Sequence, residues 1–194
     1  MAHSHSIPKG FILQIVLSMT ALLISSLLIV ASANSAPKIE AQVSEVAHTS
    51  ELVIFIVRHG EKAKGDNPSL TQQGQQRAQL LATMLASNKL DGIYSTDYNR
   101  TQETAAPTAL AQQQAVQSYD PSQLKQFSDS LKVKTGRFLV VGHSNTTTAL
   151  VSLLGGEPQG DIDDSSEFNR LYILTITPAK NGAAVTSVLL KYGE

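Results

Sequence analysis

Apolar and polar positions divide this chain into stretches of different character. Phe11 to Ala31 is mostly apolar and carries no charge. The residues up to Ser50 are small, polar and aperiodic. From Glu51 onward, short apolar runs alternate with segments whose apolar residues recur at helical spacing. Leu52-Val53-Ile54-Phe55-Ile56-Val57 is β-branched and uncharged, and predicts a buried strand. Gly92-Ile93-Tyr94-Ser95, Arg137 to Val141, Leu171 to Thr177 and Ala184 to Leu190 predict the other strands. Between them, Ala78, Leu81, Ala82 and Leu85 make one helical face behind Thr71 as its N-cap. A second helix is expected from about Tyr98, kinked or ended by Pro107. Asp120-Pro121 reads as an N-cap with proline at the first helical position, opening a helix to about Lys132. Ser144 to Leu154 reads as a helix closed by Gly155-Gly156. Strands alternating with helices predict an α/β fold, a three-layer α/β/α sandwich around a mostly parallel sheet.

The same pattern sets the domain organisation. Residues 1–36 hold Lys9, the apolar stretch and Ala31-Ser32-Ala33, a small-residue cleavage pattern, and read as a signal peptide. The apolar stretch spans 21 residues, long enough to cross a bilayer, so an uncleaved membrane anchor is an equal alternative. Either way the expected location is outside the cytoplasmic membrane: periplasmic, extracellular or anchored. Residues 37–50 read as a linker and 51–194 as the domain. Lys and Arg number 15 against 16 Asp and Glu, a balance that gives no reason to expect nucleic acid as a partner. The sequence has no cysteine, which excludes disulfides, thiolate metal sites and a Cys nucleophile, and fits an oxidising compartment.

Candidate chemistry gathers at the strand ends. Arg58-His59-Gly60-Glu61 follows the first strand, and Gly142-His143-Ser144-Asn145 follows the strand ending at Val141. Ligands of parallel α/β sheets bind beyond the carboxyl ends of the strands. Arg100 falls in the first turn of the helix after Ser95. Three readings compete. A serine hydrolase would use Gly142-His143-Ser144-Asn145-Thr146 as a nucleophile elbow, but Thr146 stands where a glycine is needed and no histidine follows His143. A metallohydrolase would need more His and carboxylate ligands than two domain histidines supply. Phosphoryl transfer through a histidine nucleophile fits. Arg58 and Arg100 offer forked donors to the phosphoryl oxygens, and His143, if protonated, adds a third cation. His59 must then be neutral, with one ring nitrogen free to attack.

With these residues the chain resembles the histidine phosphatase superfamily, the phosphoglycerate-mutase-like fold. The motifs stand in order: Arg58-His59-Gly60-Glu61, Leu70-Thr71-Gln72-Gln73-Gly74 with Arg77-Ala78, Ser95 with Arg100-Thr101-Gln102-Glu103-Thr104-Ala105, and Gly142-His143-Ser144. The resemblance implies that His59 is phosphorylated, that Arg58, Arg100 and His143 form the phosphate pocket, and that neither metal nor organic cofactor takes part. The chain departs from the family where the proton donor is concerned. The segment Ala106 to Gly136 is short and holds only Asp120 and Asp129, and Ser144 stands where one branch has Asp. Glu167, in the acidic loop Asp161 to Glu167, and Glu61 are therefore the candidate donors, beside Asp120.

The expected activity is hydrolysis of phosphomonoesters through a phosphohistidine on His59, in a small exported or anchored enzyme. A short branch of the family is exported and acts on envelope sugar phosphates, which makes such a compound or another small phosphomonoester the expected partner. A protein-phosphohistidine phosphatase and a non-catalytic phosphate-binding module are the alternatives.

Overall fold

A computed structural model describes residues 51–193. The expected signal or anchor segment and linker lie outside these residues. Among the described residues no helix is long and apolar enough to cross a membrane.

Six strands form one sheet in the order β3-β2-β4-β1-β5-β6. They are β1 (Leu52–Arg58), β2 (Gly92–Ser95), β3 (Val116–Ser118), β4 (Gly136–Gly142), β5 (Arg170–Ala179) and β6 (Gly182–Lys191). The helices are α1 (Gln72–Leu85), α2 (Asn99–Gln112), α3 (Leu124–Lys132) and α4 (Ser144–Leu153). Alternation along β1 sends successive side chains to opposite faces. Leu52, Ile54 and Ile56 join Leu131 of α3 and Leu150 and Val151 of α4 in one core. Phe55 and Val57 join Leu81 and Leu85 of α1 and Ala105 and Ala109 of α2 in the other. Helices therefore cover both faces, and the expected three-layer sandwich is present. β1 is central, which is why its run contains no polar residue before Arg58.

The sheet is parallel through β3, β2, β4 and β1, and antiparallel through β1, β5 and β6. The last two strands run longer than their apolar pattern, and a two-residue connection, Lys180-Asn181, joins them. So short a link can join only antiparallel neighbours.

Three local expectations change. Pro107 does not end α2, which continues to Gln112. Buried Thr104, Ala105, Thr108 and Ala109 hold the helix against the sheet on both sides of the proline, and this packing outweighs the lost backbone donor. β3 has no counterpart in the sequence pattern, because three residues at a sheet edge show too little alternation. Asp120 does act as a cap, accepting from Ser122 N at 2.8 Å, but it opens a 3₁₀ turn, Pro121–Gln123, ahead of α3.

Candidate active site

Parallel pairing assembles the site. Arg58 is in register with Gly142, and His59 N donates to Gly142 O at 2.9 Å. The residues that follow β1 and β4, His59 and His143, are thus neighbours, with ring centroids 5.6 Å apart. β2 lies beside β4, with Ser95 opposite Val141, and delivers Thr96 and then Arg100 to the same edge. A pocket of about 510 Å³ opens there, with His59, Lys62, Arg100, His143, Ser144 and Asp164 among its lining. Its floor includes the first turn of α4, the end of a helix that favours anions.

The partner atoms fix both imidazoles. His59 Nδ1 lies 2.7 Å from Gly60 O. A carbonyl only accepts, so Nδ1 carries the hydrogen and Nε2 keeps its lone pair. Burial, then the charges of Arg58 and Arg100, push the His59 pKa down to about 3. His143 Nδ1 lies 3.3 Å from Arg100 Nη2, which only donates, so the hydrogen is on Nε2, 3.0 Å from Thr96 Oγ1. Thr96 passes its own hydrogen to Thr101 Oγ1 at 2.9 Å. Burial and then Arg100 bring His143 down to about 4. Without a bound anion both shifts favour the neutral rings, and His143 accepts from Arg100.

Stability follows from these shifts. Below about pH 6.5 the unfolded chain protonates both histidines, whereas the fold resists until about pH 3 for His59 and about 4 for His143. The unfolded state then binds more protons, so stability falls as pH drops through this window. Thermal melts are expected to decline between pH 6.5 and 4, and the decline should be shallower in His143→Gln.

Arg58 holds the acidic loop. Its side chain is fully buried. Nη1 donates to Asp163 O and Glu167 O, both at 3.0 Å, and Nη2 donates to Asp164 O at 2.8 Å and Asp164 Oδ1 at 2.6 Å. Phe168 stacks 4.2 Å from the guanidinium carbon. The fork thus organises the acidic loop, and its Nε is buried without a partner. Arg100 Nε is likewise buried and unpartnered. Arg100 lines the pocket, where its guanidinium is suited to an anion.

The expected proton donors are committed elsewhere. Glu167, the acid expected in the site, turns its carboxylate to Arg170 Nε at 2.8 Å and Nη2 at 2.9 Å and to Lys191 Nζ at 2.8 Å. Arg170 and Lys191 hold it down to about 2, which makes it a poor acid. Glu61 forms a bidentate pair with Arg77, whose Nη1 also donates to Tyr192 O at 2.6 Å. Asp120 is occupied by Ser122. The carboxylate that lines the pocket is Asp164. Its signal in the sequence was the acidic loop itself, but which acid turns inward depends on a loop shape that Arg58 imposes.

Gly60 and Gly74 explain a spacing in the first two motifs. A Cβ on Gly60 would stand 2.9 Å from Gly74 O, and one on Gly74 would overlap Glu61 O. The start of α1 is thereby seated against the loop after β1, where Thr71 N donates to Glu61 O at 2.8 Å. Gly74→Ala is expected to cost about 1–3 kcal/mol in urea unfolding and to lower activity by moving the His59 loop.

Residues 54–121 match the family model of the histidine phosphatase superfamily (branch 1). The match stops before His143, which the sheet places beside His59. Solved structures agree over the whole domain. A protein of Nakamurella multipartitia, provisionally named phosphohistidine phosphatase SixA, is 18% identical with a TM-score of 0.54, covering 72% of this chain and 95% of its own. The domain has a phosphoglycerate-mutase-like fold. A mycobacterial glucosyl-3-phosphoglycerate phosphatase shares this fold at 12% identity and a TM-score of 0.57, over 74% of this chain and 100% of that one. An Escherichia coli protein provisionally named α-ribazole-5′-P phosphatase does so at 17% and 0.53, over 73% and 96%. No curated protein sequence matches the chain. Among the described residues no group of three or more His, Cys, Asp or Glu side chains is placed to hold a metal ion.

Proposed function

We propose that this protein is a phosphatase that hydrolyses small phosphomonoesters through a phosphohistidine intermediate on His59. The observation that carries the proposal is His59 itself. Its Nδ1 is tied to Gly60 O, leaving Nε2 with a lone pair in a pocket that Arg100 also lines. A neutral, oriented imidazole is what nucleophilic attack on phosphorus requires. The transferring group develops charge on its equatorial oxygens, and preorganised donors stabilise that charge. Arg100 and the first turn of α4 supply such donors.

Incubation of the protein with a labelled phosphomonoester and rapid quenching is expected to trap an acid-labile phosphoryl group on the His59 peptide. Stoichiometric phosphate binding with no turnover on a broad panel of phosphomonoesters would instead leave a binding module.

A second reading has its own support. Exposed Tyr98 and Ser122 are among the pocket's lining, and two of the similar folds are provisionally named phosphohistidine phosphatases. A phosphohistidine peptide with a kcat/KM well above that of every small phosphomonoester would favour this substrate class. The apolar N-terminal stretch supports export and an envelope sugar phosphate as the natural substrate. Fractionation of the tagged full-length protein tests the location.

A further inference from the structure

We propose that Asp164 is the catalytic proton carrier of this site, giving a proton to the leaving group and recovering it from the attacking water. The inference rests on the phosphatase reading above and adds to it the residue that the sequence does not reveal.

The carboxylate is held by one oxygen only. Oδ1 accepts from Arg58 Nη2 at 2.6 Å and from Ser144 Oγ at 2.7 Å. Oδ2 has no partner among the described residues. The side chain is 73% exposed although its ion-pair partner is buried. Asp164 therefore reaches from a rigid anchor into the pocket that His59 and His143 line. Of the acids expected from the sequence, Glu61 pairs with Arg77 and Glu167 with Arg170 and Lys191, whereas Asp164 is the carboxylate among the pocket's lining. Ser144 and Arg58 hold the Asp164 carboxyl below its ordinary value. A phosphoryl dianion bound beside it acts in the opposite direction, because like charge disfavours ionisation. Substrate binding thereby favours the protonated form that the first step uses.

The steps balance. His59 Nε2 attacks phosphorus with its lone pair. The bond from phosphorus to the ester oxygen breaks, its electrons go to that oxygen, and the Asp164 proton moves there to release the alcohol. In the second half, water attacks the phosphohistidine and gives a proton to the Asp164 carboxylate. The P–N bond breaks, its electrons return to Nε2, inorganic phosphate leaves, and Asp164 holds a proton again.

The test compares esters whose leaving groups differ in need of a proton. An alkyl phosphate needs one, whereas 2,4-dinitrophenyl phosphate does not. Asp164→Asn keeps an acceptor oxygen for Arg58 and Ser144 while removing the proton. In the full-length protein it is expected to lower kcat/KM for the alkyl ester by roughly 10²–10⁴-fold and that for the dinitrophenyl ester by less than about threefold. The dependence of kcat/KM on leaving-group pKa should steepen accordingly, and Asp164→Glu should restore part of the loss. An equal loss on both esters, or none on the alkyl ester, overturns the assignment while leaving the phosphatase reading intact. A wild-type protein that turns over neither ester overturns both.

Discussion

His59→Ala is expected to abolish turnover of every phosphomonoester, by at least about 10³-fold in kcat, and to remove the trapped phosphoryl group. The reason is specific to the atom lost. The other pocket imidazole has no free nitrogen lone pair: His143 spends its unprotonated nitrogen on Arg100 at 3.3 Å. Phosphate binding should survive in the variant, because Arg100 and the first turn of α4 are untouched. The ring is buried against His143 and Phe168 and bonds Gly60 O, so the variant should also lose about 1–3 kcal/mol of stability. Isothermal titration with inorganic phosphate, beside a turnover assay, separates the two effects. A variant that keeps wild-type turnover would remove His59 from the mechanism.

Arg58→Ala is expected to be the most destabilising single change at the site. The side chain is fully buried and supplies four hydrogen bonds to the 163–167 loop. Its removal leaves loop carbonyls without their donor, at about 1–3 kcal/mol for each that stays buried, and each 1 kcal/mol lowers the melting temperature by roughly 2–8 °C. The loss should be local as well as global. Without its cation, the loop from Asp161 to Phe168 has three carbonyls and a carboxylate to re-satisfy. Limited proteolysis is therefore expected to cut there first. Arg58→Lys should recover little, because one ammonium cannot span acceptors that the planar fork reaches from two nitrogens. If Arg58→Ala melts with the wild type, the loop is held by something other than this guanidinium.

The parts of this protein that were legible in its sequence depend on the chain's own neighbours. β1 and β4 declare themselves through uninterrupted apolar runs, and the two histidines follow from those runs by one or two residues. Arg100 was legible for the same reason, since a helix starting just after β2 must begin at the same edge. What was not legible depends on side-chain choice among near-equals. Asp161, Asp163, Asp164 and Glu167 share one short acidic loop, and nothing local separates the acid that faces His59 from the one that pairs with Arg170. Arg58 was correctly placed, but its partners are backbone carbonyls more than a hundred residues away, which no spacing encodes. Pro107 misled because its cost is local while the packing that overrides it is not.

The register between β1 and β4 has a consequence for how the protein acquires activity. Arg58 and Gly142 meet across the centre of the sheet, so the histidines beyond them become neighbours only once that long-range pairing closes. Long loops close late relative to helices. During refolding from urea, helical signal should return before phosphatase activity, and the lag between them would time the closure of the central strands.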